Sequence, residues 1–204
     1  MLIVLFYIAI TAEAMTAALA AGRRKMDWFG VCLLACVTAL GGGTIRDLFL
    51  GHYPLFWVKN PYVLLLVCGA ALLTIAIARV VDRLRWTFLL LDAVGLVVFT
   101  IVGCNVAMEI DAHPLIILVS GMVTGIFGGI LRDVLCNDMP LVFSTEIYAT
   151  VSIVTGAVYY FGLMFGLQGD LVILVAFGIG FPLRVLALIY KWEMPKFVYD
   201  RDLR

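Results

Sequence analysis

Residues 38–47 read TALGGGTIRD, and residues 124–133 read TGIFGGILRD. In the first stretch Gly41, Gly42 and Gly43 precede Arg46-Asp47; in the second Gly128-Gly129 precede Arg132-Asp133. The spacing persists downstream: Pro54-Leu55 and Tyr62 in the first copy answer to Pro140-Leu141 and Tyr148 in the second, always shifted by 86 positions (42 to 128, 62 to 148). A repeat of this kind decides the architecture and is read before any local pattern. Both copies lie within long apolar runs, where paired glycines and an Arg-Asp dipeptide are costly and ask for an explanation.

Composition sets the environment. The chain has 204 residues, 64% hydrophobic and 14% charged, with a mean hydropathy of +1.12. Soluble domains run nearer ~45–50% apolar and ~25% charged, so this is an all-α integral membrane protein whose first partner is the lipid bilayer. The formal net charge is zero, and no nucleic-acid partner is implied. The cysteines (Cys32, Cys36, Cys68, Cys104, Cys136) are scattered through apolar segments and read as small packing residues. His52 and His113 are far apart in sequence and in loops. No metal site and no cofactor are expected.

A spanning helix needs about 20 apolar residues. Seven candidates follow, near 2–22, 28–50, 62–79, 86–108, 114–132, 146–167 and 170–190. The connections are short, so residues 1–204 form a single membrane domain. Repeat one covers about 1–80, repeat two about 86–167, the seventh helix about 170–190, and the tail 191–204. Ala12-Glu13-Ala14 resembles a cleavage site, but the positive residues follow the apolar run instead of preceding it, so the first segment reads as a retained helix. Arg23, Arg24, Lys25, Arg79, Arg83, Arg85, Lys191, Lys196, Arg201 and Arg204 crowd one side of the membrane. Basic loops face the cytoplasm, which puts the N-terminus outside and the C-terminus inside. Three spans per copy is an odd number, so the second copy enters from the opposite face. The repeats are therefore inverted, a plan that recurs in transport proteins built on discontinuous helices.

Both glycine groups then fall near the membrane midplane, and the reading expects a functional break of the second and fifth spans there. Close helix packing is the plainer alternative, and the one preferred for Gly121-x-x-x-Gly125. Intramembrane charges face the bundle interior or water. Adjacent helical residues do not face each other, so each arginine should pair elsewhere: Arg46 with Asp133, Arg132 with Asp47, or either with Glu13 or Asp92. These ion pairs either lock the repeats together or serve transport. Glu13-Ala14 loosely matches Asp92-Ala93, and each carboxylate is open to three roles: cation ligand, proton-titrating group or arginine partner. Glu146 reads as a helix cap, Arg184 as a snorkelling cation, and Pro54 and Pro140 as turns. Trp28, Trp57, Tyr62, Trp86, Tyr148 and Trp192 suit an interfacial belt.

GGGTIRD, the downstream proline, GGILRD, and a tail with Arg184-Val-Leu-Ala187, Trp192 and Pro195 resemble the bacterial YadS/YicG-like inner-membrane family, built from two glycine transporter domains. That family in turn resembles the trimeric intracellular cation (TRIC) channels. The resemblance implies a seven-helix, 3+3+1 homotrimer in the bacterial inner membrane. It implies one K⁺ pore per protomer, lined by helices kinked at Gly42-Gly43 and Gly128-Gly129. The Lys-Glu-Val signature of the animal channels is absent. Three readings stay open. In a channel, the carboxylates neutralise the arginines while carbonyls freed at the glycine breaks coordinate the ion. In a secondary transporter of glycine or a similar small amino acid, an arginine holds the carboxylate. The third is a non-conducting structural protein. No constellation of nucleophile and base supports an enzyme.

Overall fold

The computed structural model describes residues 1–78, 84–144 and 147–192. Arg79, Arg83, Glu146, Pro195, Lys196, Arg201 and Arg204, invoked above for orientation, capping and family resemblance, lie outside them. Every described element is helical: α1 Leu2–Arg23, α2 Trp28–Leu50, α3 Phe56–Lys59, α4 Tyr62–Ile77, α5 Leu84–Glu109, α6 Pro114–Leu135, α7 Leu141–Ser144, α8 Tyr148–Met164 and α9 Gly169–Tyr190. Five of these, α1, α2, α5, α6 and α9, are long and apolar enough to cross a membrane. Helices α4 and α8 are apolar but have 16 and 17 residues, short of the ~20 that span a bilayer.

Long, long, four-residue, long: the two halves of the chain share this order, and α9 stands outside it. The register is tight. Helices α2 and α6 begin at Trp28 and Pro114, and α4 and α8 at Tyr62 and Tyr148, the same shift of 86 as in the motif (28 to 114, 62 to 148). Even the left-handed residues match, Lys25 with Asp111 and Gly51 with Asn137. Local chemistry starts the second helix of each half. The Asp27 carboxylate accepts a hydrogen bond from the Gly30 amide at 2.7 Å, a cap for otherwise unpaired N–H groups. His113 accepts from Leu115 N, with Pro114 at the first helical position.

Helix α5 is central: Ala93, Leu96, Val97, Val98, Ile101, Cys104 and Ala107 are buried. It packs on α1, α6, α8 and α9. Small residues let these helices approach closely. A Cβ at Gly121 would press on the Thr100 carbonyl at 2.9 Å and one at Gly125 on the Leu96 carbonyl at 2.8 Å, so Gly121-x-x-x-Gly125 is an α5–α6 packing stripe. The perimeter is apolar and bare, with Phe49, Leu65 and Leu174 exposed, as lipid requires. The cysteine thiols are all free; Cys36 and Cys68 touch at 3.8 Å between α2 and α4.

The repeated glycines do not interrupt their helices. Helix α2 runs unbroken through Gly41, Gly42 and Gly43, and α6 through Gly128 and Gly129. The expected break is replaced by a close crossing. A Cβ at Gly42 would collide with the Thr124 carbonyl, and one at Gly128 with the Thr38 carbonyl. Thr38 and Thr124 are themselves equivalent, so the contact is reciprocal and the two helices cross antiparallel. Unbroken helices keep their carbonyls in intrahelical bonds, so no coordinating carbonyls are freed.

Candidate functional site: two copies of one motif in different surroundings

Both Arg-Asp dipeptides are buried where α1, α2, α5 and α6 meet. In repeat one, Arg46 donates from Nε (2.9 Å) and Nη2 (2.8 Å) to Oδ1 of its own neighbour, Asp47. His52 Nδ1 lies 3.2 Å from the same oxygen. In repeat two, Arg132 likewise donates from Nε to Asp133 Oδ1 at 2.8 Å. Adjacent side chains leave a helix in different directions, but the long arginine chain curls back far enough to reach. The expected cross-pairs Arg46–Asp133 and Arg132–Asp47 are not formed among the described residues.

Beyond that shared contact the copies part. Arg132 also donates from Nη1 to Asp92 Oδ1 at 2.9 Å and to Thr16 Oγ1 at 3.0 Å, and Glu13 Oε2 lies 3.7 Å away. Three carboxylates thus surround one guanidinium that is wholly buried. The Phe88 ring lies 4.5 Å from the Arg132 guanidinium carbon and 4.8 Å from that of Arg23. Glu13 fits because residue 95 is glycine: a Cβ there would overlap its carboxylate. Thr16 Oγ1 adds a 3.1 Å bond to Glu13, and Asp133 Oδ2 accepts from the Leu141 amide at 3.1 Å. The Arg132 cluster therefore joins α1 of the first half to α5 and α6 of the second. Of the anticipated arginine partners, Glu13 and Asp92 both go to Arg132.

The glycines divide by position. Gly42 and Gly128 make the crossing and Gly41 packs against Leu131, whereas Gly43 and Gly129 have room for a Cβ. Next to Gly129 stand Tyr148 and Asp92. Tyr148 is buried, and the Arg184 guanidinium lies over its ring at 4.4 Å. This corrects two expectations: Arg184 stacks in the interior instead of snorkelling, and Tyr148 is no interfacial anchor. A cation over an aromatic face is held by the ring quadrupole, which favours burial over extension. Trp28, Tyr62, Trp86 and Trp192 are exposed as a belt requires; Trp57 is half-buried and donates to Thr44 Oγ1 at 3.2 Å.

Among the described residues, the two Arg-Asp pairs differ in the space beside them. A cavity of about 470 Å³ opens beside Arg46, Asp47, His52, Lys59 and Glu109, with Phe6 and Phe56 on its wall. A smaller space of about 20 Å³ lies deeper, against Gly43, Thr44, Phe99 and Thr124, room for about one water. Around Arg132, Asp133, Gly129 and Tyr148 no such room remains.

The pairing of Glu13 with Asp92 by sequence does not survive this geometry. The register of 86 that aligns α1 with α5 sets Asp92 opposite Phe6 (6 to 92) and Glu13 opposite Phe99 (13 to 99). Thr16, Phe6, Phe56, Phe99 and His52 were not anticipated in the site. For Thr16, a hydroxyl one turn after a lone intramembrane carboxylate was the available signal.

Comparison with known proteins agrees with the repeat and the fold. The sequence model of the Glycine transporter family matches twice, over residues 3–79 and 89–164. The UPF0126 inner membrane protein YadS of Escherichia coli K12 is 41% identical over 196 residues, covering 94% of this chain and 93% of YadS. The UPF0126 membrane protein YvgT of Bacillus subtilis is 34% identical, covering 96% of each chain. Among solved structures, the TRIC trimeric intracellular cation channel orthologue from Rhodobacter sphaeroides superposes with a TM-score of 0.89 at 37% identity, covering 93% of this chain and 97% of its own. A prokaryotic TRIC channel crystallised in 0.5 M KCl gives 0.87 at 32% identity, covering 95% and 98%. With its doubled domain, its Arg-Asp motifs and this fold, the chain belongs to the Glycine transporter family of UPF0126 membrane proteins and has the TRIC channel fold.

Proposed function

We propose that this protein is a TRIC-like channel for monovalent cations, chiefly K⁺. In this reading it is a homotrimer in the bacterial inner membrane with one pathway per protomer. Its seven spans form two inverted three-helix repeats plus α9, with the N-terminus outside and the C-terminus in the cytoplasm. The wide cavity then opens outward, and the Arg132 cluster lies towards the cytoplasm.

One observation carries the reading: in a chain with the cation-channel fold, a cavity bordered by Asp47 and Glu109 leads inward to the α2–α6 crossing. Arginines beside such a path would repel cations if they stood alone. Here Arg46 is matched by Asp47, and Arg132 by Glu13, Asp92 and Asp133. With Glu109 set against Lys59 in the lining, the cavity carries no net positive charge. Packing at the crossing and around Arg132 is tight, which fits a closed conformation. Gly41, Gly42, Gly43, Gly128 and Gly129 act as the contact about which α2 and α6 move, and the two Arg-Asp pairs flank it.

Purified protein in liposomes tests this directly, with K⁺ flux and labelled glycine uptake measured on one preparation. Passive K⁺ flux indifferent to glycine is the expected result. Saturable glycine uptake without uncoupled K⁺ flux would overturn the channel in favour of a transporter. Absence of both would leave a structural membrane protein.

A further inference from the structure

We infer that Phe6, Phe56 and Phe99 form an apolar barrier between the wide cavity and the glycine crossing, and that the barrier has to part before a cation passes. The inference rests on the channel reading.

Four residues border both the cavity of about 470 Å³ and the inner space of about 20 Å³: Phe6, Phe56, Arg46 and Asp47. They are the partition between the two. The Phe6 and Phe56 rings meet edge to face, centroids 4.7 Å apart at 87°. Phe99 lies behind, 6.0 Å from Phe6, and lines the inner space. The rings come from α1, α3 and α5, so movement of any one of these helices reshapes the partition. An ion passing between the rings would shed water against hydrocarbon, and the one carboxylate on the partition, Asp47, already has its Oδ1 held by Arg46. Apolar constrictions of this kind block conduction by dewetting.

The repeat sharpens the point. Phe6 and Phe99 stand where the other copy has Asp92 and Glu13. At these two places one half of the path carries carboxylates, around Arg132, and the other carries rings, beside Arg46. The aromatic side also borders the wide cavity, so the barrier is the first obstacle met from there.

Accessibility tests this without relying on flux. Thr44 lines the inner space, so Thr44→Cys reports on it. Gly43→Cys serves as a second reporter, since the nearest atom to a Cβ there is Arg46 Nη2 at 3.6 Å. The protein in nanodiscs is treated with a permanently charged, cationic thiol reagent, and labelling above that of the native cysteines is followed in time. Expected is slow labelling with Phe6 present, several-fold faster labelling with Phe6→Ala, and labelling slower than wild type with Phe6→Trp. Phe56→Ala should accelerate labelling as well, and it supplies the comparison if Phe6→Ala does not fold. Equal rates with Phe6 and with Ala at position 6, or with Phe56 and with Ala at position 56, overturn the barrier. Acceleration in a protein that passes no K⁺ would uphold the barrier and sink the channel reading; K⁺ flux with unchanged labelling would do the reverse.

Discussion

Arg46 and Arg132 hold the same place in two copies of one motif, and each bonds its own aspartate in the same way. Their surroundings differ in kind. Arg132 is sealed among Glu13, Asp92, Asp133 and Thr16 with Phe88 beneath it. Arg46 has Asp47 and His52, two rings, and a cavity alongside. A duplicated sequence therefore does not give a duplicated site. A dipeptide fixes only its own contact, and the long-range partners come from α1 and α5, where the copies have diverged.

The largest expected effect tests whether the sealed copy is the one that holds the bundle together. Removing one partner of a buried ion pair costs about 3–5 kcal/mol, because the other is left charged in a dry interior. Arg132→Met strands three carboxylates and should lower thermal stability in detergent severely, whereas Arg46→Met, with a cavity beside it to hydrate Asp47, should cost clearly less. Equal losses would break the comparison.

Thr16 has no polar counterpart in the other copy, since position 102 is Val. Hydrogen bonds to charged groups are worth about 1.5–3 kcal/mol. Thr16→Val should destabilise by that order, read as a shift in the detergent melting midpoint. The converse change, Val102→Thr, should leave the midpoint nearly unmoved.

The glycines should behave alike across the copies and differently within each. Overpacking costs roughly 1–3 kcal/mol, so Gly42→Ala and Gly128→Ala should each lose about that much and by similar amounts. Gly43→Ala and Gly129→Ala, which have room, should be tolerated. A destabilisation at Gly43 matching that at Gly42 would contradict the crossing geometry.

The smallest effect lies at the end of α6. Arg24 pairs with Asp138 and donates to the Asn137 carbonyl at 3.1 Å, tying the α1–α2 turn to the second copy. Position 138 corresponds to His52 (52 to 138), which instead turns back onto Asp47. Both Arg24 and Asp138 are substantially exposed, and such pairs contribute about 0.2–1 kcal/mol. Arg24→Gln should shift the melting midpoint slightly, and the shift should vanish at high salt.

Much of this was legible in the chain itself. Apolar run lengths placed the five helices long enough to cross a membrane, and the shorter α4 and α8, within a few residues, because a helix satisfies its own backbone in lipid. The motif repeat gave the two halves, because a shift held constant from Thr38 to Tyr62 marks the same unit twice. The burial of Arg46, Asp47, Arg132, Asp133, Glu13 and Asp92 followed from the cost of charge in hydrocarbon. Other features were not legible. A Gly-Gly pair favours both a broken helix and a close crossing, and only the position of Thr38 and Thr124 across the interface chose the crossing. An arginine chain is long enough to reach a neighbour, a distant carboxylate or the interface. Burial against Tyr148, together with the converging faces of α1, α5 and α6, decided where Arg184 and Arg132 went. The asymmetry between the copies was written in Phe6, Phe99, Glu13 and Asp92. It became meaningful only when the fold set each beside its arginine, because a side chain's chemistry depends on what it faces in space.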